Sequence, residues 1–505
     1  MARHYIFSAF TVFCILALSA GCGSNDGASP DIIGGTQNST TTASTQPDNT
    51  GGLSVMPGKT VSVSGRVLDL TYKHGLEGVV VSVMDKSVQT DEQGYYALEN
   101  ITVPANTYSI PVTFQKENYA MNQKMLYGIE DGKNYSIYAD VKPANLVQSV
   151  DPSVENTLTA VDSNTNQKAT VTIPAFSMLD ENNKPVQDEV TVAITLGDPT
   201  SQDDMKIFPG TFFGTVPQSI VPVTIESIAF FSITASAQNG EEIAKFDPKY
   251  PASVNLSIPQ STQNKYENEN QIEWWIYNKK TGQWDIMDAN PATVGTDAAS
   301  VDTVDGEKVI KAAISKPAPW NYDQRHERSY FSIQVVDEKG KPMKDFRVRS
   351  EGVTYASSYD FVTNELGMAE VIVKGSTWDT AEKVRLAVVM GNSVFYATDE
   401  DEKVKTFVTP LQLEISTLSK PIIIPETRTL FVRVRSFTYP DKLLPGVIVY
   451  SNVGIKAISD QNGKCTFSLP HSVPLEIFIP QQDKKMLVLP DKNETTTIDI
   501  YEWEK

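Results

Sequence analysis

Residues 88–98 read VQTDEQGYYAL, a polar turn closed by Gly94 and followed by an alternating apolar run. Closely related wording returns as VTNELGMAEVIV at 362–373 and as ISDQNGKCTFSL at 458–469. The glycine can take positive φ without steric cost, and Tyr95-Tyr96-Ala97-Leu98 then resumes a strand, so the stretch reads as a β-hairpin. Upstream, Gly78 to Val83 is a β-branched run, and Val61 to Asp69 alternates apolar with polar residues. The period is two throughout, which is a strand period and not a helical one.

The same order of parts recurs twice. Ser332 to Asp337, the turn Glu338-Lys339-Gly340-Lys341-Pro342, and Phe346-Arg347-Val348-Arg349 precede the turn ending in Gly367. Leu430 to Arg435 and Pro445 to Tyr450 precede the turn ending in Gly463. In the first copy, Gly65, Val67 and Asp69, then Gly78, Val79 and Val81, then Thr90, Asp91, Gly94 and Tyr96 match the G-x-V-x-D, G-V-x-V and T-D-x-x-G-x-Y pattern of the carboxypeptidase regulatory-like domain, which this segment resembles. That resemblance implies a small prealbumin-like β-sandwich. The later copies carry Met368-Ala369 and Lys464-Cys465 where the first has its tyrosine pair, and they resemble Ig-like or prealbumin-like sandwiches more broadly.

The chain has 505 residues, 40% of them hydrophobic, with 29 Gly and 29 Pro. Length and repeat spacing point to about four domains in a row, and the β-branched, turn-rich composition puts them in the all-β class as tandem Ig-like or prealbumin-like β-sandwiches with few, short helices. The expected boundaries are a signal peptide at 1–21, a tether at 22–57, and sandwiches at 58–142, 143–316, 328–420 and 428–505.

The N-terminus begins Met-Ala-Arg-His and continues with an apolar run from Tyr5 to Ala20, too short for a membrane span and suited to a secretory signal. Ala20-Gly21-Cys22 resembles the bacterial lipobox, with Ser19 where leucine is usual. The resemblance implies acylation of Cys22, and Gly23 in place of aspartate after it implies the outer membrane of a bacterial envelope, on its periplasmic face or the cell surface. The following Ser/Thr/Asn/Gly/Pro-rich segment cannot bury a core and serves as a flexible leash of about 30 Å. Cys14 leaves with the signal and Cys22 takes the lipid, so Cys465 stands alone as a small buried hydrophobe without a disulfide. A formal charge of −19 disfavours nucleic acid as a partner. The run Asp399-Glu400-Asp401-Glu402 lacks the order of a calcium loop and reads as a solvated turn.

The middle of the chain resembles the extracellular β-sandwich module of cartilage intermediate layer protein: Ile173-Pro174-Ala175, Lys184-Pro185-Val186, Pro209-Gly210, the run through Ala229-Phe230-Phe231-Ser232-Ile233, and a closing hairpin from Trp274 to Trp284. The resemblance implies a structural, non-catalytic part. Trp274 and Trp275 must point to opposite faces of their strand, so only one of them can share a surface with Trp284. Core packing is the leading reading of these indoles. A carbohydrate platform formed by Trp275 and Trp284 is the alternative.

No H-E-x-x-H, C-x-x-C or G-x-S-x-G motif occurs, and the four histidines, His4, His74, His326 and His471, fall in the signal or in expected turns and linkers. The chain is therefore expected to be neither an enzyme nor a cofactor or metal binder, although carboxylates assembled from distant positions stay open as a third reading. The leading expectation is a lipid-anchored rod of sandwiches that makes structural or adhesive contacts with envelope proteins or glycans. The alternative is a carbohydrate-binding lipoprotein.

Overall fold

The three related stretches fold into one repeated clasp. In the computed structural model, which describes residues 58–505 apart from 218, 220, 267–272, 288–298, 305, 392, 400, 402, 426, 471–474, 481–484, 489–495 and 503–505, the Asp91 carboxylate accepts the backbone N–H groups of Gln93 and Tyr95 at 3.0 and 2.8 Å. The side-chain carbonyl of Asn364 does the same for Leu366 and Met368 at 2.9 and 3.1 Å, and Asp460 for Asn462 and Lys464 at 2.8 and 2.9 Å. The preceding residue stitches each turn to the strand before it. Thr90 Oγ1 accepts from Val79 N–H at 2.9 Å and donates to the Leu76 carbonyl at 2.6 Å. Thr363 repeats this with Phe346 and Met343 at 2.9 and 2.7 Å, and Ser459 with Val447 and Leu444 at 2.9 and 2.7 Å. Short hydroxyls thus satisfy backbone groups that would otherwise be buried unpaired. Gly94 sits at φ +83°, and a Cβ there would lie 2.2 Å from the Val67 carbonyl oxygen, so the position requires glycine.

Around each clasp the strands share one topology. Lys59–Asp69 pairs antiparallel with Tyr95–Val103 and parallel with both Asn134–Ser136 and Ala139–Val141. Arg328–Asp337 relates in the same way to Met368–Lys374, Ile415–Thr417 and Ile422–Ile424, and Thr427–Ser436 to Lys464–Pro470 and Thr496–Glu502. A second sheet faces each of these, centred on Val80–Val83 and Ser109–Gln115, on Arg347–Gly352 and Lys383–Met390, and on Ile448–Ser451 and Leu475–Phe478. Alternate residues, such as Val61, Val63 and Phe114, or Ile333, Val335 and Leu386, or Val432, Val434 and Ile477, point inward to form three separate cores. These are the tandem all-β sandwiches that the sequence announces. Among the described residues, helix is limited to Gln260–Tyr266 and the 3-10 turn Asp204–Ile207.

The middle sandwich is larger. A five-stranded sheet, Asn156–Val161, Lys168–Ile173, Ala252–Ser257, Glu307–Ile314 and Ala299–Val304, packs on a seven-stranded one. The sequence places the end of this domain at 316 and His326 in a linker. Instead, Pro319–His326 is an interior strand of the larger sheet, between Glu273–Asn278 and Val223–Ala237. The strand is hidden from a hydrophobic-pattern reading because Asn321 and Asp323 occupy fully buried positions on it.

The connections between sandwiches are very short. Glu327 alone separates Pro319–His326 from Arg328–Asp337, and four residues separate Ala139–Val141 from Leu146–Val150. The extended rod expected from the repeats is not what forms, because the fourth sandwich packs back on the first through two reciprocal carboxylates. Glu476, from the fourth, accepts from Tyr95 OH, from Tyr138 OH at 2.6 Å and from Arg66 at 3.3 Å. Glu99, from the first, accepts from Tyr450 OH at 2.5 Å and from Lys456 at 2.6 Å. The rings of Tyr95 and Phe478 stack between them with centroids 4.5 Å apart. The expected signal peptide, Cys22 and the 22–57 tether lie outside the described residues, as do His4 and His471.

Candidate functional site

The first three sandwiches meet at a junction built on the tryptophan hairpin. Trp275 pairs with Ile286 and Tyr277 with Trp284 across the two strands, so Trp275, Tyr277 and Trp284 leave one face of the sheet while Trp274 leaves the other. Trp274 enters the core of the middle sandwich beside Trp320 and Phe231. Trp275 and Trp284 join a second apolar cluster that takes Leu70 and Met121 from the first sandwich, Phe208 and Phe212 from the middle one, and Tyr359 and Ile372 from the third. Both indoles are 0% exposed, so neither offers a face to a sugar ring. They hold sandwiches together. The alternation of the sequence establishes that only one of Trp274 and Trp275 can share a surface with Trp284; the strand register makes it Trp275, and the structure adds that another sandwich covers that surface.

Polar contacts surround this cluster. Tyr277 OH donates to Gln123 Oε1 at 2.5 Å, and Gly210 N–H donates to the Gln123 carbonyl at 2.8 Å. On the other side, Ser227 N–H donates to the Ala356 carbonyl at 3.1 Å, beside an irregularity in the strand register between Ser227 and Ala229. Lys374 Nζ bridges Glu226 at 2.6 Å and Glu382 at 2.9 Å. His326 Nε2 lies 3.0 Å from Tyr359 OH, and burial pushes its pKa down to about 4, leaving the ring neutral at pH 7. Asp323 is fully buried, and burial, then Glu273 and Glu226, raise its carboxyl well above the usual range. The acid and the histidine are on one strand, three residues apart, and packing places their side chains in different surroundings: Asp323 Oδ2 accepts from Asn321 Nδ2 at 2.6 Å, whereas His326 faces the third sandwich.

Beside the junction the same three sandwiches enclose a cleft of about 690 Å³. Its walls include Lys124 and Tyr127 from the first sandwich, Phe213 from the middle one, and Arg347, Arg349 and Arg385 from the third. Arg349 grips Asp360 at two points, Nε–Oδ1 2.7 Å and Nη2–Oδ2 3.1 Å. Burial works against the Asp360 carboxylate, but Arg349 and Arg347 outweigh it and hold the group below its usual range. Burial, and next Arg349, push Lys124 down to about 8.

Other sequence expectations fall elsewhere. Cys465 is buried in the fourth core, and burial pushes its thiol up to about 11, which keeps it unreactive at neutral pH. Asp399 caps its own turn, accepting from Asp401 and Lys403 N–H at 2.9 and 3.0 Å, while Glu400 and Glu402 lie outside the described residues. Among the described residues, the tryptophan that does meet solvent is Trp378, 90% exposed on the loop after Met368–Lys374. It carries no periodic signal that would separate it in sequence from the buried indoles. Next to it, Ser376 is hydrogen-bonded to Pro410 and Gln412, and exposed Leu413 follows at 74%.

Fold and junction together define a protein of tandem, interlocked β-sandwiches. No protein-family model and no curated protein matches the sequence. Among solved structures, the streptococcal ancillary pilin aligns at 8% identity and a TM-score of 0.21, over 49% of this chain and 96% of its own. The shaft pilin SpaA of Lactobacillus rhamnosus GG aligns in its E269A form at 9% and 0.19, over 35% and 97%. BcpA, the major pilin subunit of Bacillus cereus, aligns at 9% and 0.14, over 88% and 100%. At such scores the likeness carries nothing about the activity or assembly of this chain.

Proposed function

We propose that this chain is a non-catalytic lipoprotein of the bacterial cell envelope, anchored through acyl groups on Cys22, that presents its β-sandwiches as one rigid body for structural or adhesive contacts. The observation that carries the reading is the interlocking. Connections as short as one residue, a shared aromatic cluster and the reciprocal carboxylates between first and last sandwich give a body suited to holding surface loops at fixed positions. Trp378 stands on one such loop, as an exposed aromatic anchor of the kind that dominates protein contacts. An outer-membrane position follows from Gly23 after the acylated cysteine.

The test combines intact mass of the membrane-extracted protein, a Cys22→Ser variant, and protease shaving of whole cells. Acyl mass on Cys22, release into the soluble fraction on Cys22→Ser, and loss of the sandwiches on shaving are the expected results. A mature protein without acyl mass defeats the anchor, and an acylated protein protected from shaving moves the role to the periplasmic face. Cells carrying Trp378→Ala are expected to lose surface contact while retaining the protein at normal level.

A further inference from the structure

Arg347, Arg349 and Glu351 alternate along their strand, so all three leave the same face of the sheet, while Val348 and Ser350 between them are buried on the other. Asp360 lies opposite Arg349, and Arg385 opposite Glu351, in the flanking strands. This charged face walls the cleft, and Lys124 of the first sandwich lines it as well. Three guanidinium groups therefore meet two carboxylates, and the pairing is incomplete.

Arg349 takes both oxygens of Asp360. The approach of Arg347 to that carboxylate is 3.9 Å, beyond hydrogen-bond distance. Arg385 comes no nearer than 3.8 Å to Glu351, whose Oε2 accepts from Tyr396 OH at 3.0 Å, and the buried Nε of Arg385 has no acceptor. The fourth sandwich provides an internal comparison. There Arg433 and Arg435 also share one carboxylate, Asp499, and both reach it, at 2.7 and 3.1 Å. The cleft thus holds guanidinium donors that its own acids leave unused, in a chain whose formal charge is −19.

A guanidinium fork matches the two oxygens of a carboxylate, sulfate or phosphate, and a space of about 690 Å³ suits a small organic molecule. Tyr127, Phe213 and Tyr355 supply aromatic wall for the body of such a molecule. We propose that the cleft between the first three sandwiches binds a small organic ligand carrying an oxyanion, held by Arg347, Arg385 and Lys124. This goes beyond the presentation role above and does not depend on the lipid anchor.

The experiment is isothermal titration calorimetry on the full chain, extracted in detergent, at low ionic strength. The probes are a galacturonate trisaccharide for carboxylates, inorganic sulfate for sulfate esters and inorganic phosphate for phosphate esters. Saturable binding of at least one probe at one site per chain is expected, and the order among the three identifies the oxyanion. Arg347→Gln should weaken that binding at least tenfold, and Glu351→Gln should tighten it several-fold by removing a competing carboxylate. Arg433→Gln, at the fully paired arginines of the fourth sandwich, should leave it unchanged. Absence of saturable binding for all three probes overturns the proposal, as does an equal effect of Arg347→Gln and Arg433→Gln, which would mean diffuse charge. Should Arg347→Gln fail to fold, Glu351→Gln decides, and an affinity no tighter than that of the unmodified chain overturns the site.

Discussion

Replacing Glu476 with alanine should undock the fourth sandwich from the first without unfolding either. The variant removes the acceptor shared by Arg66, Tyr95 OH and Tyr138 OH. Hydrogen bonds to a charged partner contribute about 1.5–3 kcal/mol when buried, and less where water can replace them. The Glu476 and Arg66 side chains are 12% and 16% exposed, so solvent weakens these bonds only in part. Taking about 1 kcal/mol per donor gives about 3 kcal/mol, roughly a 150-fold shift in the docking equilibrium. Hydrogen exchange reads this directly. Amides of Tyr95–Val103 and Ile448–Ser451, which carry the apposed Tyr95 and Tyr450, should exchange faster in Glu476→Ala, while the core strands Lys59–Asp69 and Thr427–Ser436 keep their protection. Small-angle scattering should show the radius of gyration rise. If exchange at the apposed strands and the radius both stay as in the unmodified chain, the reciprocal carboxylates do not hold the fourth sandwich on the first.

Three further expectations follow from the same geometry. Thr90→Val, Thr363→Val and Ser459→Ala each strand one buried N–H and one carbonyl, so each should cost about 2 kcal/mol in urea titration; a variant costing under about 0.5 kcal/mol would show its clasp to be dispensable. Acid should open the interfaces in order. His326, whose pKa lies below its unfolded value, contributes stability that is full above about pH 6.5 and declines towards pH 4 as the unfolded ring takes its proton first, and His326→Gln should flatten that part of the pH profile. Burial opposes the Glu99 carboxylate, but Lys456, Tyr450 and Ser62 hold it below its usual range, so its contribution to docking is full above the ordinary carboxylate range and is lost as the pH falls through its lowered value in the fold. Asp323→Asn mimics the protonated acid. Because the raised pKa makes Asp323 a cost wherever the unfolded carboxyl ionises, the variant should raise Tm at pH 7 and leave it unchanged at pH 3, and a fall at pH 7 would show the carboxylate to be charged in the fold.

Local chemistry was legible in the sequence wherever it acts over a few residues. The Asx-x-x-Gly spacing announces the turn because one side-chain oxygen reaches two N–H groups within four positions, and all three copies do this. The hydroxyl stitch at Thr90, Thr363 and Ser459 left a trace in the same lines, a small polar residue immediately before each Asx, although its partners lie 11 to 20 positions upstream. The interfaces left no such trace. Arg66 and Glu476 are 410 positions apart, and Tyr450 and Glu99 are 351 apart, so nothing near either residue marks the pair. The tryptophans show where the limit falls: period-two alternation puts Trp274 and Trp275 on opposite faces, whereas the choice of Trp275 as the partner of Trp284 depends on the hairpin register, and the burial of their shared face on Tyr359 and Ile372 arriving from another domain. Asn321 and Asp323 misled the domain boundary for the opposite reason, since buried polar residues on an interior strand read as a loop.

The parallel pairing of first and last strands governs how a pull would pass through the molecule. In the first sandwich Lys59–Asp69 lies alongside Ala139–Val141, and in the fourth Thr427–Ser436 runs beside Thr496–Glu502 over seven matched positions. Tension entering at the head of one strand and leaving at the tail of its parallel neighbour slides the two lengthwise, loading every rung of the ladder at once instead of peeling them one by one. A module wired this way resists stretching far better than a hairpin pulled from its open end, and three of the four sandwiches are wired so.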